Sequence, residues 1–349
     1  MIRDNLKNLC QLNGLSSREE SVGSYMLQKF HEFSENVYKD NIGNIICKLK
    51  TKKNAKTKIM IFAHMDEIGF IIRKIEDDGF LRFERMGGVN TQILPGTKVQ
   101  SIKDESIKGL VGVQSHHFMS AENKFRIPQI QDMYIDIGAD SNGSVISRGI
   151  NVGDMFSFDD TWTEMSDKIV SSKAIDDRIG CSILLELNEM LRGSELDAEV
   201  YLVSCVMEEF NIRGILPVVR KIKPDITIGI DITPACDTPD LNYNDVSLGK
   251  GPALTYMNFH GRGTLAGVLP DKELIASFEN ICADNDIPYQ REVASGVVTE
   301  NAYILFENEG IKVMSISIPT RYTHTPIECI SITDADNTVK LIKEFICQF

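Results

Sequence analysis

The amino-acid sequence has little positive charge and no long apolar run. Lysine and arginine account for 37 of its 349 residues, against 50 aspartates and glutamates, so the formal net charge is -13. Nucleic acids and anionic membranes bind proteins through basic patches, so this balance predicts that neither is a partner. No apolar stretch approaches the roughly 18 residues of a membrane span, and residues 1–14 contain no signal-peptide hydrophobic region. We therefore expect a cytoplasmic protein.

The eight cysteines include no Cys-x-x-Cys pair, the spacing typical of zinc-thiolate sites and redox-active dithiols. Most of them lie within apolar segments, as Cys47, Cys205, Cys282 and Cys347 do. This pattern favours buried free thiols in a reducing compartment. Disulfides or zinc thiolates are the alternative interpretation.

Length and hydrophobic pattern predict a large α/β domain interrupted by a small β domain. A chain of 39.1 kDa is larger than a domain with a single hydrophobic core usually is, which favours one large domain and a smaller one. Residues 58–63 (KIMIFA) are almost continuously apolar, which is typical of a strand covered on both faces of an α/β sheet. Between residues 69 and 163 short strands alternate with glycine turns, which indicates a β-barrel.

The alternation of helices and strands resumes after Lys173. Asp176 begins a predicted helix, and apolar strands follow at 198–207, 226–230 and 313–318. Near the N-terminus, Ser17 and Glu20 have capping-box spacing, which predicts the start of a second helix. The predicted fold is therefore a mixed-sheet α/β catalytic domain, residues 1–67 plus 164–349, with an inserted β-barrel domain, residues 68–163.

Candidate metal ligands lie where predicted strands end or a helix begins. Because the functional crevice of an open α/β sheet lies at the carboxyl ends of its strands, we expect these side chains to converge. Two imidazoles and three carboxylates form the ligand set of a two-metal hydrolase, in which one carboxylate bridges both ions and a free one transfers the proton. Glu208 is available for that proton transfer. The five candidate ligands are His64, Asp176, Glu209, Asp231 and His324.

Each candidate has an ordinary structural interpretation when it is taken alone. A histidine after a strand is most often a core or surface residue, and an aspartate at a helix start is most often an N-cap. Five coincident placements in a chain with six histidines favour the metal site. Asp66 is predicted to accept a hydrogen bond from the imidazole of His64 and so to fix its tautomer. The alternative is a turn-forming aspartate.

Five segments carry a family resemblance, and they follow one another along the chain: AHMDEIGF (63–70), KAIDDRIG (173–180), MEEFNIRG (207–214), IDITPACDTP (230–239) and IPTRYTHTP (318–326). Through them the chain resembles the co-catalytic metallo-aminopeptidases that include the tetrahedral deblocking and glutamyl aminopeptidases. The insert segments QILPGTKV (92–99) and DMYIDIGADS (132–141) resemble the barrel domain of that family, so the resemblance covers essentially the whole chain. Some relatives carry the label endoglucanase.

The resemblance implies a zinc-exopeptidase-like fold of the phosphorylase/hydrolase-like class and two divalent ions per subunit. It implies that Asp176 bridges the ions, that His64 and Asp231 complete one site, and that Glu209 and His324 complete the other. Zinc is the favoured metal, and cobalt and manganese also suit a site of histidines and carboxylates without thiolates.

The resemblance also implies the activity and the assembly. The enzyme is expected to remove N-terminal residues from short peptides, with Glu208 as the general base toward an activated water and Asp66 as the residue that orients His64. The expected assembly is a homo-oligomer, a tetrahedral dodecamer. The barrel insert is expected to serve assembly and access rather than chemistry.

Residues 298–302 (VTENA) stand where relatives often have Gly-Thr-Asp-Ala-Gly. This stretch is expected near the pocket for the first side chain of the substrate, so Glu300 is predicted to favour cationic or neutral N-terminal residues over acidic ones. The alternative is that Glu300 pairs with Arg291 or Arg321 and adds no net field. His116 and His117 replace the end of a Lys-Pro-Pro-His stretch in the insert.

Two rival functions remain open at this point. A glycoside hydrolase needs two carboxylates that flank the sugar bond without metal, and here the candidate carboxylates are committed to metal. Loss of activity with a chelator would dismiss this rival. A non-catalytic metal-binding shell subunit would be favoured by a missing ligand or base, and none is missing.

Overall fold

The structure is a computed structural model that describes residues 1–261 and 266–349. Within these residues the helices are α1 (Ile2–Gln11), α2 (Glu20–His31), α3 (Asn142–Ser147), α4 (Ile175–Met190), α5 (Ile215–Ile222), α6 (Lys272–Asp284), α7 (Asn301–Ile304) and α8 (Ile332–Ile346). The strands are β1 (Val37–Lys39), β2 (Ile45–Lys48), β3 (Lys58–His64), β4 (Gly69–Ile75), β5 (Leu81–Met86), β6 (Lys98–Ser101), β7 (Lys108–Val111), β8 (Ile135–Asp136), β9 (Met155–Phe158), β10 (Thr163–Glu164), β11 (Ile169–Ser172), β12 (Glu199–Cys205), β13 (Ile226–Pro234), β14 (Ala253–Phe259), β15 (Gly267–Val268), β16 (Gln290–Ser295), β17 (Lys312–Arg321) and β18 (Glu328–Ser331).

The larger sheet is mixed and contains twelve of these strands. Its path runs β1-β2-β12-β3-β13-β17-β18-β11-β10, while β14 branches from β17 and pairs with β15 and β16. The four central strands β12, β3, β13 and β17 are parallel to one another. Their carboxyl ends therefore meet at one edge, where Cys205 of β12 lies level with His64 of β3.

Strand β3 is buried on both faces, as its continuous apolar sequence predicts. Ile59, Ile61 and Ala63 pack into the core formed with α1, α2, α4, α6 and α8. Met60 and Phe62 point to the opposite face and pack into the core formed with α5 and α7. Alternate residues of a strand face opposite sides, so helices cover both sides of the sheet.

The insert is a closed barrel of antiparallel strands in the order β4-β5-β8-β7-β6-β9. It has its own hydrophobic core, in which the ring of Phe70 makes edge contacts with Phe83 and Phe158 at centroid distances of 5.0 and 5.3 Å. The predicted fold class, a mixed-sheet α/β domain with an inserted β-barrel, is confirmed. The boundaries at residues 68 and 163 stay a prediction.

Some local predictions are wrong. Ser17 does not cap α2: its φ is 69°, and its backbone N–H donates to Oε1 of Glu19, the residue before the helix. Helix α3 lies in the insert, where no helix was predicted, because a helix of 6 residues is too short to show a hydrophobic period. Cys347 is exposed, whereas Cys236 is half-buried and the other six free thiols are buried.

Strands β13 and β17 extend beyond the predicted segments. They pair in parallel from Ile226 and Lys312 as far as Pro234 and Thr320, so Asp231 lies inside a strand rather than at its end. Pairing between the two backbones continues past the apolar residues from which the strands were predicted. No helix in the described part of the chain is long and apolar enough to cross a membrane.

A buried ion cluster connects the segment after β3 to the start of α4. Glu67 Oε2 lies 2.7 Å from Nζ of Lys173, and Glu67 Oε1 lies 3.6 Å from a guanidinium nitrogen of Arg178. Glu67 also accepts the backbone N–H of Gly14 at 3.0 Å. All three charged side chains are at most 2% exposed. The cluster therefore holds together segments that lie far apart in the sequence.

Glu67→Gln is expected to lower the free energy of unfolding by about 3–5 kcal/mol, because it leaves two buried cations without their shared counter-ion. Urea denaturation followed by circular dichroism measures the change. The matched control is Glu195→Gln, which removes an exposed ion pair with Lys50 and should lower the free energy of unfolding far less. Equal losses in the two variants would contradict the importance of the cluster.

Candidate active site at the carboxyl edge of the sheet

The candidate residues surround one cavity at the carboxyl edge of the central strands. His64 ends β3, Asp231 lies in β13, and Asp176 is the second residue of α4. Glu209 follows β12, and His324 follows β17. The cavity has a volume of about 490 Å³, and all five residues line it together with Glu208.

The five candidate ligands form two groups that share Asp176. The ligand atoms of His64, Asp176 and Asp231 lie within 4.8 Å of one another, and so do those of Asp176, Glu209 and His324. Asp176 Oδ1 lies 3.1 Å from Nε2 of His64, and its Oδ2 lies 3.3 Å from Nε2 of His324. One carboxylate thus presents one oxygen to each group, which is the arrangement of a bridging ligand.

Burial and mutual repulsion perturb the carboxylates. Burial raises the pKa of Glu209 to about 7, and it raises the pKa of Glu208 and of Asp231 well above the ordinary value. Burial also acts to raise the pKa of Asp176, but hydrogen bonds with the two histidines outweigh it and hold that pKa below its usual range. Burial alone would lower the pKa of His324, yet Glu209 and Asp176 raise it to about 11.

The donor set fits a divalent cation. Among the described residues that line the cavity there is no lysine or arginine, so no side-chain cation other than histidine balances its carboxylates. Imidazole nitrogens and carboxylate oxygens without thiolates are ligands that zinc, cobalt and manganese accept. The residues therefore fit the two-ion site that the resemblance implies.

Comparisons with known proteins agree with this geometry. The family profile described as M42 glutamyl aminopeptidase matches residues 43–341. The chain is 43% identical to SgcX of Escherichia coli K12, over 98% of this chain and 92% of that relative. The chain belongs to the M42 aminopeptidase family. The predicted family and its aminopeptidase activity are thereby confirmed.

Solved structures resemble this M42 aminopeptidase over its whole length. The aminopeptidase APDkam598 of Desulfurococcus kamchatkensis superposes with a TM-score of 0.92 at 34% identity, over 99% of this chain and 94% of that one. The TET1 peptidase of Pyrococcus horikoshii superposes with a TM-score of 0.87 at 27% identity, over 100% of both chains. That peptidase can assemble into a tetrahedron or a large octahedral shell.

Backbone carbonyls orient both histidines of the M42 site. Nδ1 of His64 lies 3.1 Å from the carbonyl oxygen of Asp66, and Nδ1 of His324 lies 3.0 Å from the carbonyl oxygen of Gly88. A carbonyl only accepts, so each ring carries a proton on Nδ1. Nε2 of each ring faces Asp176 and donates to its carboxylate when protonated, and it keeps a free lone pair once that proton has left. This tautomer is the one that can bind a metal ion through Nε2.

The Asp66 side chain holds the neighbouring backbone rather than the imidazole alone. Its carboxylate accepts the N–H groups of Glu208 at 2.9 Å and Glu209 at 3.1 Å, and the hydroxyl of Ser16 at 2.6 Å. The carboxylate lies 3.5 Å from Nδ1 of His64, farther away than the carbonyl oxygen of the same residue. Asp66 therefore connects His64 to both glutamates.

The sequence analysis did not identify Glu328 and Asp177 as residues that hold the candidate ligands. The buried carboxylate of Glu328 accepts the backbone N–H of Asp176 at 3.0 Å and that of His324 at 2.8 Å. Asp177 accepts the backbone N–H of His64 at 3.3 Å. The available signal for Glu328 was a carboxylate at the start of the short strand β18, four residues after His324.

The barrel insert contacts the second ligand group through a glycine turn that follows β5. A Cβ atom on Gly88 would lie 2.5 Å from Nδ1 of His324, and one on Gly87 would lie 2.9 Å from Oε2 of Glu209. Gly87 has a φ of +79°, which disfavours any side chain. That the insert serves assembly and access rather than chemistry stays a prediction, and its backbone in addition orients a candidate ligand.

The structure places two further groups of candidate residues from the sequence analysis outside the cavity wall. His116 and His117 lie exposed in a short 3₁₀ turn of the insert and do not line the cavity.

Glu300 is 3% exposed, does not line the cavity, and places its carboxylate 3.1 Å from Sγ of Cys205. The arginines proposed for Glu300 bind other carboxylates: Arg291 pairs with Glu279 at 2.6 Å and Arg321 with Asp237 at 2.7 Å. The pairing of Glu300 with an arginine is therefore wrong, whereas the preference for cationic or neutral N-terminal residues over acidic ones stays a prediction.

Gly88→Ala is expected to lower kcat/KM by at least about tenfold, because the new methyl group must displace the ring of His324. Steady-state hydrolysis of leucyl-p-nitroanilide measures the loss. The matched control is Gly143→Ala in α3 of the same insert, where the added methyl group meets nothing within 4 Å. Full activity in Gly88→Ala would show that this contact is dispensable.

Proposed function

We propose that this M42 aminopeptidase hydrolyses N-terminal residues of short peptides with two divalent ions per chain, zinc being favoured over cobalt and manganese. Asp176 would bridge the ions, His64 and Asp231 would complete one site, and Glu209 and His324 the other. The observation that carries the proposal is the position of Asp176, whose two oxygens face Nε2 of the two histidines at 3.1 and 3.3 Å. When bound, the ions supply Lewis-acid chemistry that polarises the scissile carbonyl and lowers the pKa of water.

Glu208 is proposed as the general base. It lines the cavity but belongs to neither ligand group, so its carboxylate is free to exchange a proton. Its Oε2 lies 4.0 Å from Nε2 of His64, next to the first group, and Asp66 holds its backbone N–H. Burial raises the pKa of Glu208 well above its ordinary value, which suits a group that takes a proton from water and returns it to the leaving amine.

The negative charge of the cavity supports cleavage at the N-terminal end of a peptide substrate. The free α-amine of a peptide is a cation, and the surrounding carboxylates attract it while lysine and arginine are lacking among the described lining residues. The complete set of candidate ligands and base argues against a non-catalytic shell subunit. The placement of the carboxylates in groups with histidine argues against glycoside hydrolysis, which uses two carboxylates without metal.

The proposed assembly is a homo-oligomer, a tetrahedral dodecamer that admits small peptides. It is supported by the shells described for TET1 of P. horikoshii. Large apolar side chains of the insert are exposed, among them Phe118 at 83% and Phe125 at 92%, and such side chains are typical of surfaces that associate. A cytoplasmic location is proposed from the eight free thiols.

Glu208→Gln is expected to lower kcat by about 10²–10⁴-fold while the metal content stays near two ions per chain, because the base is not a ligand. Asp176→Ala should lose both ions and activity, since it removes the shared ligand. Elemental analysis of the purified variants, together with leucyl-p-nitroanilide assays, measures both quantities.

The control for these variants is Glu84→Gln, which changes an exposed carboxylate of the insert paired with Arg73. It should keep both the ions and the activity. Loss of metal from Glu208→Gln would refute the division of roles between Glu208 and Glu209.

Light scattering coupled to size-exclusion chromatography is expected to give the mass of twelve 39.1 kDa chains. Phe118→Ser combined with Phe125→Ser should shift the population toward smaller species, because both rings are exposed in the isolated chain. Thr97→Ser in the same domain serves as the control. A stable, fully active monomer of the unaltered chain would overturn the proposed assembly.

A further inference from the structure

One wall of the active-site cavity carries a carboxylate that neither the ligand groups nor the proton transfer uses. Glu292 lies in β16 and lines the cavity, and its residue is 2% exposed. Its carboxylate accepts the hydroxyl of Thr233 through a short hydrogen bond and that of Thr255 at 2.8 Å. Thr255 in turn lies 3.1 Å from the hydroxyl of Ser317.

The hydroxyl groups around Glu292 come from three neighbouring strands. Thr233 belongs to β13, two residues beyond the candidate ligand Asp231, and Thr255 and Ser317 belong to β14 and β17. All three line the same cavity as Glu292. The polar wall is therefore continuous with the metal site and begins within two residues of it.

Glu292 has no cationic partner in the described part of the chain. The ion pairs formed by the described residues do not include it, and its recorded partners are neutral hydroxyls. Burial raises the pKa of Glu292, as expected for a carboxylate that lacks a compensating charge. A buried carboxylate of this kind gains free energy when a cation reaches it.

The remaining carboxylates of the cavity have other tasks. Asp176, Glu209 and Asp231 belong to the two ligand groups, and Glu208 is the proposed base. Divalent ions would balance the charge of these groups. Among the described lining residues, Glu292 is then the carboxylate whose charge remains to be balanced by a cation of the substrate.

Aliphatic side chains line the same cavity as this carboxylate. Ile232, Val297 and Val298 line it and present aliphatic side chains. The side chains of lysine and arginine combine an aliphatic stem with a terminal cation, so they match a cavity lined by both aliphatic side chains and a carboxylate. An acidic side chain would meet like charge at the same place.

We propose that Glu292 is a specificity-determining residue that receives the cationic end of an N-terminal lysine or arginine side chain. Thr233 and Thr255 hold the carboxylate in place, and Ile232, Val297 and Val298 contact the aliphatic stem. The assignment rests on the proposed function of the adjacent metal site. It gives this chain a preference opposite to the glutamyl specificity named in the description of its family.

The test compares kcat/KM of the metal-loaded, assembled enzyme for lysyl-, arginyl-, leucyl- and glutamyl-p-nitroanilide. The unaltered enzyme should cleave the lysyl or arginyl substrate at least about tenfold faster than the glutamyl substrate. Glu292→Gln should lower the lysyl and arginyl values by about tenfold or more and leave the leucyl value within about twofold. Glu292→Asp should recover part of the cationic preference, because it restores the charge.

The matched control is Glu300→Gln, which alters a buried carboxylate that does not line the cavity. It should leave the ratio of lysyl to leucyl cleavage unchanged. A ratio that also stays unchanged in Glu292→Gln would overturn the assignment and leave Glu292 as a group that only connects β13, β14 and β16.

Measurements on the unaltered enzyme keep the test decisive even if Glu292→Gln does not fold. Faster cleavage of glutamyl- than of lysyl-p-nitroanilide overturns the specificity assignment alone, because the metal site is then working. Failure to cleave any of the four substrates, with no divalent ion retained, overturns the proposed function and the assignment with it.

Discussion

The concentration of buried and half-buried carboxylates at one edge of the sheet is the constraint on which the site depends. Asp176, Glu208, Glu209 and Asp231 line one cavity, and no lysine or arginine stands among its described lining residues. Burial pushes the pKa of Glu208, Glu209 and Asp231 upward, which measures how unfavourable their negative charge is without a cation. Cations stabilise such an arrangement, so the electrostatics of the donor set already indicate what the site binds.

The scaffold meets this constraint by holding the candidate ligands through their backbones. Asp66 accepts the N–H groups of Glu208 and Glu209, and Glu328 accepts those of Asp176 and His324. Each of these carboxylates connects segments that lie far apart in the sequence. Their hydrogen bonds fix the backbone positions of the candidate ligands, which is the preorganisation that a catalytic centre requires.

The barrel insert is coupled to this centre by contact rather than by ligands. The carbonyl group of Gly88 sets the tautomer of His324, and the lack of a side chain at Gly87 and Gly88 leaves room for His324 and Glu209. An element that also exposes large apolar side chains therefore touches a candidate ligand. A displacement of the insert would move His324, so the geometry of the site depends on the position of the insert.

The sequence by itself determined the fold class, the family and the convergence of the candidate ligands. A continuous apolar strand such as β3 and the order of polar residues after parallel strands are local signals, and the fold places strand ends at one edge. Tertiary structure alone decided the contacts of Glu328 and Gly88 and the different locations of Glu300 and Glu292. Glu300 was expected near the substrate pocket because of its place in a motif. It does not line the cavity, whereas Glu292 does. Which side of a wall a carboxylate faces depends on packing between strands distant in sequence, and no local pattern records that.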